Sequence, residues 1–381
     1  MKKICMIFCF IILILMHNSC YAIEEQIIAS QKNNLDISNF LQEAQKYTNS
    51  IFPDTNVDQL LTDAIKGNIN QKKMVDRILH LLGDEIKNTI RTLACILMIV
   101  VIHSVFKSVS ENLGNQSIAQ ITYYVQYILI VTLMMSNFTD IIDSVRNSIQ
   151  NLISFMQLLI PLLITLMVTT GSIVSANVVQ PILLFAISFI GSLISNVILP
   201  ILLVATVLGI VSQISSKFQI DKLAKFFNAT SIWILGIVLT VFVGLLSLEG
   251  TLSSSVDGLT AKTTKAAVST FIPVVGKVLG DSVDTVLGCA SILKNAVGIV
   301  GVVVLLAICI APIVKLTILT ITYYLASAIC QPIADERIIK LFDTMGETFK
   351  ILLAITVSVA IMFMIGITIV IKISNSGLMY R

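Results

Sequence analysis

Charged side chains are scarce in this sequence. Asp, Glu, Lys and Arg make up only 12% of its 381 residues, whereas soluble domains usually contain about a quarter. The hydrophobic fraction of 56% and the mean hydropathy of +0.93 agree with this scarcity. One tryptophan and a net charge of +3 leave no basic, aromatic surface for nucleic acid. The composition excludes an ordinary soluble domain and indicates a polytopic membrane protein.

Motifs of common catalytic and metal sites are also missing. The seven cysteines form no CxxC pair and have no histidine at metal-ligand spacing. A phosphate loop fails at Gly276-Lys277, because Val278 follows where Ser or Thr is required. No HExxH or GxSxG motif occurs. We therefore expect no enzymatic activity, no cofactor and no metal ion.

The most prominent feature that is present is a charge-free core, residues 147–216. A helix needs about 20 apolar residues to cross a bilayer, so roughly three passes fit here. We predict them over residues 152–170, 179–198 and 199–215. The last two meet at Pro200 with almost no connector, which favours a tight helical hairpin or a re-entrant pair.

Other apolar segments complete the membrane protein. We predict passes over residues 89–106, 118–138, 231–248, 298–314, 316–330 and 351–371. The segments on either side of Lys315 are barely long enough to cross, so a re-entrant hairpin is an alternative there. The predicted fold class is all-α, a polytopic helical membrane protein with roughly 8–9 spans or re-entrant segments after a cleaved signal peptide.

The N-terminus has the pattern of a signal peptide, residues 1–22. Lys2 and Lys3 precede an apolar run, and small residues before the predicted cleavage after Ala22 suit signal peptidase. Without cleavage, the leader stays as a short anchor. In both cases residues 23–88, which are more polar, are predicted to form an extracytoplasmic helical region.

The predicted passes form two groups. A first membrane bundle, residues 89–248, contains the charge-free core, and a second bundle covers residues 298–371. Residues 249–297 between them form an extracytoplasmic or interfacial amphipathic region. Residues 372–381 form a cytoplasmic tail.

A strip of small or short residues lies before the second bundle. It recurs at every fourth position, at Gly276, Gly280, Asp284 and Gly288. On a helix such a strip lets another backbone approach closely. Carboxylates are costly at a bilayer centre, which places this helix at the interface or against protein. We predict a helix-packing and assembly site at Gly276, Gly280, Asp281, Asp284 and Gly288.

Prolines interrupt the apolar segments at Pro161, Pro181, Pro200, Pro312 and Pro332. The separation of the first two recurs between the last two, with similar residues beside them. Broken helices at matching positions in two halves indicate the central site of a transporter, and coincidence is the alternative. We treat these five positions as broken helices that border a conduit.

Three motifs carry a family resemblance. They are Phe-Ile-Pro-Val-Val-Gly-Lys at residues 271–277, Asp-Ser-Val-Asp-Thr-Val at residues 281–286, and Leu-Lys-Asn-Ala-Val-Gly-Ile-Val-Gly at residues 293–301. Together with Gln331-Pro332, the leader and the proline-broken core, they resemble the stage III sporulation protein AE family of endospore-forming bacteria. The resemblance covers essentially the whole chain.

The resemblance implies an integral component of a secretion or feeding channel complex between mother cell and forespore. It implies a multi-pass location in the mother-cell (outer forespore) membrane, with the mature N-terminus extracytoplasmic. The implied partners are other stage III sporulation membrane proteins, including an ATPase and ring-forming subunits, and the lipid bilayer. No nucleic-acid partner and no catalytic residue are implied.

A self-sufficient secondary transporter of a small solute is the alternative function. It predicts a polar or charged group that faces a cavity near the midplane. The midplane positions offer mainly Thr, Ser, Gln157, Asn177 and Asn196. This weak polarity favours an assembly component.

A cysteine at Ser216 tests the predicted topology. Residues 217–225 contain Lys217, Lys222 and Lys225 and lie inside, as the positive-inside rule favours. In a cysteine-free background, we expect Ser216→Cys to resist a membrane-impermeant maleimide in intact cells and to be labelled after permeabilisation. Labelling in intact cells would show that this segment lies outside and that the predicted orientation is wrong.

Overall fold

The computed structural model describes residues 37–49, 52, 56–67, 71–112, 116–214, 220–271 and 276–379. All regular elements in these ranges are helices, so the all-α prediction is confirmed. The predicted signal peptide, its cleavage site at Ala22 and the last two residues of the predicted tail lie outside the described residues.

The described helices are long. They are α1 (Ile37–Asn49), α2 (Val57–Ile65), α3 (Gln71–Asn112), α4 (Gln116–Thr169), α5 (Ile173–Leu193), α6 (Leu199–Ser212), α7 (Asp221–Phe271), α8 (Gly276–Cys330) and α9 (Glu336–Met379). Five stretches of described residues are long and apolar enough to cross a membrane: Tyr127–Thr169, Ile173–Ser212, Asp221–Ser247, Val286–Cys330 and Glu336–Ile373. The predicted class of helical membrane protein is confirmed.

The chain does not turn back at Pro200, so the predicted hairpin or re-entrant pair is wrong. A π-helical turn, Ile194–Ile198, joins α5 to α6 into one helical stretch. In this turn the Leu199 N–H donates to the Ile194 carbonyl, five residues earlier. Proline has no N–H for an ordinary helical hydrogen bond, and the wider turn shifts the bonding pattern before it.

The same continuity holds in the second predicted bundle. Helix α8 runs through both Pro312 and Lys315, so the predicted break between two short segments there is wrong. A proline is tolerated inside a membrane helix where neighbouring helices and local adjustments satisfy the freed backbone groups. Likewise, α4 is one helix over residues that were predicted to form two passes.

Helices α4 and α5 are antiparallel neighbours. Ile153 of α4 contacts Gly191 of α5, and the Gln157 side chain donates to the Ser188 hydroxyl at 3.3 Å. The turn between these helices contains Gly171, whose φ of 85° suits glycine because it has no Cβ. Its N–H donates to the Val168 carbonyl at 3.0 Å, as in a Schellman cap.

One hydrophobic core runs through both predicted membrane bundles. At one end, the ring of Tyr323 in α8 lies 5.2 Å from that of Phe349 in α9, and Phe138 of α4 lies 6.0 Å from the same ring. Further along α8, Gly298 contacts Ile371 of α9 and Gly301 contacts Leu159 of α4. Helix α8 therefore lies between α4 and α9.

Gly301 allows the close approach of α4. A Cβ added at Gly301 would lie 2.5 Å from Cδ2 of Leu159. We expect Gly301→Val to destabilise the protein by about 1–3 kcal/mol through overpacking, measured as a lower midpoint of thermal unfolding in detergent. Gly288→Val is the matched control, because a Cβ there meets no atom within 4 Å. Equal midpoints for the two variants would contradict this packing.

Candidate functional site

The predicted assembly site lies at the start of α8. Its first four members, Gly276, Gly280, Asp281 and Asp284, lie in the helical range, and their side chains are outside the described part of the structure. Gly288 is exposed, and an added Cβ would meet no atom of the described residues within 4 Å. Nothing in the described part of the chain therefore covers the strip at Gly288. Its packing against another chain stays a prediction.

The predicted conduit prolines occupy different environments. Pro312 is buried and Pro161 half-buried, whereas Pro181, Pro200 and Pro332 are exposed. Pro332 lies in the turn between α8 and α9 rather than in a helix. Their role in a conduit also stays a prediction.

Pro181 borders an apolar groove between α5 and α7. The groove has a volume of about 700 Å³, and all of its lining side chains are apolar. Phe185 and Phe189 line it from α5, and Ile237 and Val241 from α7. A pocket that orients a polar solute needs a few placed polar groups. This groove therefore suits hydrocarbon rather than a polar solute.

A fully buried lysine lies in α8. Lys294 is 0% exposed, and it is the one Asp, Glu, Lys or Arg among the buried residues that the structure describes. Gly298 and Gly301 follow it at i+4 and i+7, so all three share one helix face. Because Gly298 contacts α9 and Gly301 contacts α4, this face points into the crevice between those two helices.

Burial of Lys294 is costly, because a charged group loses its hydration. Ionisable residues inside membrane segments usually serve a function and face the bundle interior. Sequence reasoning missed Lys294 as a site, because it lies four residues before the predicted pass over residues 298–314. The available signal was that residues 286–314 contain Lys294 as their one charged residue.

Polar contacts join helices near the end of the bundle that contains Phe349. The hydroxyls of Thr206 in α6 and Thr348 in α9 lie 3.0 Å apart in the core. The Tyr127 hydroxyl of α4 donates to the Ile210 carbonyl at 2.7 Å. Gln213 donates to Asp221 at the start of α7 at 3.1 Å. These contacts join α4, α6, α7 and α9.

Clusters of metal-ligating side chains are absent from the described residues. Within them, no group of three or more His, Cys, Asp or Glu side chains could hold a metal. The described cysteines, Cys95, Cys289, Cys309 and Cys330, form no disulfide bond.

Comparison with known proteins identifies the family. The family model described as stage III sporulation protein AE matches residues 55–374. The chain is also 28% identical over 286 residues to stage III sporulation protein AE of Bacillus subtilis (strain 168), which covers 75% of this chain and 72% of that protein. No solved structure matches the chain. The range matched by the family model includes the glycine strip, Lys294 and all five spanning stretches, and the chain belongs to the stage III sporulation protein AE family.

Proposed function

We propose that the protein is an integral component of a channel complex between mother cell and forespore, needed for forespore development. The observation that carries the proposal is the family match over residues 55–374, together with a relative that is named a stage III sporulation protein. The five apolar stretches support a place in the membrane. By this proposal the membrane is that of the mother cell, and the mature N-terminus is extracytoplasmic.

In this role the protein acts through helix packing. The uncovered glycine strip at Gly288 supports a contact with another subunit, because small residues let two backbones approach closely. The proposed partners are other stage III sporulation membrane proteins, including an ATPase and ring-forming subunits.

Affinity purification tests the complex. We expect a tagged protein from detergent-solubilised sporulating cells to bring down other stage III sporulation membrane proteins, identified by mass spectrometry. Gly288→Leu should reduce their recovery while its own insertion and amount stay normal. Gly236→Leu in α7 is the matched control, because its added Cβ also meets no atom within 4 Å.

Either of two results would contradict this. A protein that purifies alone, stable and monodisperse, would refute the complex and favour the self-sufficient transporter. Full recovery of partners with Gly288→Leu would refute the glycine strip as their contact and leave the complex intact.

Substitution of Lys294 tests whether this buried lysine has a functional role. A buried charge is costly to fold, so we expect Lys294→Met to accumulate at a normal level and to reduce spore yield by about tenfold or more, as loss of a functional intramembrane charge would. Lys315→Met in the same helix is the control, since Lys315 is only partly buried. Normal spore yield from Lys294→Met, or a protein level that falls in step with spore yield, would refute a functional role.

A further inference from the structure

Helices α1 and α2 cover part of the bundle with a polar outer face. Their inward residues, among them Phe40, Ala44 and Leu61, are buried. The exposed described residues of this region, apart from Gly67, are Ser38, Asn39, Gln42, Lys46, Asn49, Asn56, Asp58, Gln59, Thr62, Asp63 and Lys66. No large hydrophobic side chain is exposed in the described part of residues 37–67.

This polar face lies beside the apolar middle of two spanning helices. The rings of Phe40 and Tyr47 lie 6.0 and 5.9 Å from that of Phe155 in α4. Phe52, between α1 and α2, packs against Ala307 of α8. Both contacted residues belong to stretches that are long and apolar enough to cross a membrane.

The contact points are far from the charged residues of those helices. Ala307 is more than two helical turns, roughly 12 Å, from Lys315. Phe155 lies roughly 13 Å along the helix from Arg146, and no charged residue follows it before Lys217. Helices α1 and α2 therefore lie at the depth of the hydrocarbon layer that α4 and α8 would occupy.

The α5 and α7 side of the bundle exposes large apolar side chains near this depth. Gln157 and Ser188 are hydrogen-bonded, which puts Phe189 of α5 level with Phe155 of α4. Phe185 and Phe189 are 72% and 50% exposed, and Trp233 of α7 is 69% exposed. Such a surface suits lipid, whereas exposed Asp and Lys side chains are strongly disfavoured there.

Helices α1 and α2 cannot act as ordinary interfacial helices. An interfacial helix buries its apolar face among lipids, but the apolar faces of α1 and α2 already contact α4 and α8. On the inner side, burial raises the pKa of Tyr47 above its usual value, and the nearby Glu43 carboxylate adds to the increase. The outer side is left with polar groups alone, which require water.

We propose that the outer face of α1 and α2 borders a water-filled space at the depth of the bilayer. The proposal rests on the proposed function, since in a channel complex this space is the conduit and neighbouring subunits close it. The face carries both signs of charge, at Lys46, Lys66, Asp58 and Asp63, among uncharged polar side chains. Such a lining suits hydrated polar solutes without strong selection for one charge.

Cysteine reactivity tests the proposal in the full chain. Gln42→Cys and Asp63→Cys place a thiol on the polar face, and Phe189→Cys places one at the same depth on the apolar side. Each is made in a cysteine-free variant that still supports spore formation, which shows that it folds. A charged, membrane-impermeant methanethiosulfonate is added to permeabilised sporulating cells, so that both sides of the membrane are reached.

We expect the two cysteines on α1 and α2 to react about tenfold or more faster than Phe189→Cys, because the charged reagent is excluded from hydrocarbon. Equally fast reaction at all three positions would place this level outside the bilayer and overturn the proposal. Equally slow reaction would show that lipid or protein covers α1 and α2, and would also overturn it.

The experiments distinguish failure of the water-facing side from failure of the complex. If partners are recovered in the purification but the α1 and α2 positions are unreactive, the complex stands and the water-facing side is refuted. If these positions react in a protein that purifies alone, the water-facing side stands and the complex is refuted.

Discussion

The close packing of α8 between α4 and α9 holds the rest of the bundle in place. Gly298 and Gly301 remove side-chain volume where Ile371 and Leu159 approach, and the Tyr323 and Phe349 rings fill the wider space at the opposite end. Dispersion is strong at such short separations and falls quickly with distance. Without the glycines, α4 and α9 would move apart, and the face of α8 that carries Lys294 would open.

Local sequence properties were sufficient to predict the fold class, but they predicted little of how the helices are arranged. Long apolar runs require helices in a bilayer, because backbone groups have no other hydrogen-bond partners there. The effect of Pro200 could not be predicted, since it depends on whether the turn before it can widen. The burial of Lys294 and the position of α1 and α2 on the bundle were also hidden, because both depend on contacts between residues distant in sequence. The four-residue period of the glycine strip was visible in the sequence, but the sequence did not show what packs against the strip.

The surface of the protein is divided between two kinds of environment. Helices α5 and α7 expose large apolar side chains and border an apolar groove, whereas α1 and α2 expose only polar side chains and Gly67 in their described part. A protein surrounded by lipid on every side would expose apolar side chains all around at this depth. Lipid on the α5 and α7 side and the proposed water-filled space on the α1 and α2 side would together account for both surfaces.

The π-helical turn between α5 and α6 also changes which way the helix faces. One extra residue in a turn rotates everything beyond it by about 100° around the helix axis. Before the turn, Phe185 and Phe189 face the groove beside α7; after it, Thr206 and Gly209 contact Thr348 and Thr344 of α9. A single helical stretch therefore serves two interfaces on different sides. Deleting one residue from Ile194–Ile198 would restore the ordinary phase and turn Thr206 away from its partner.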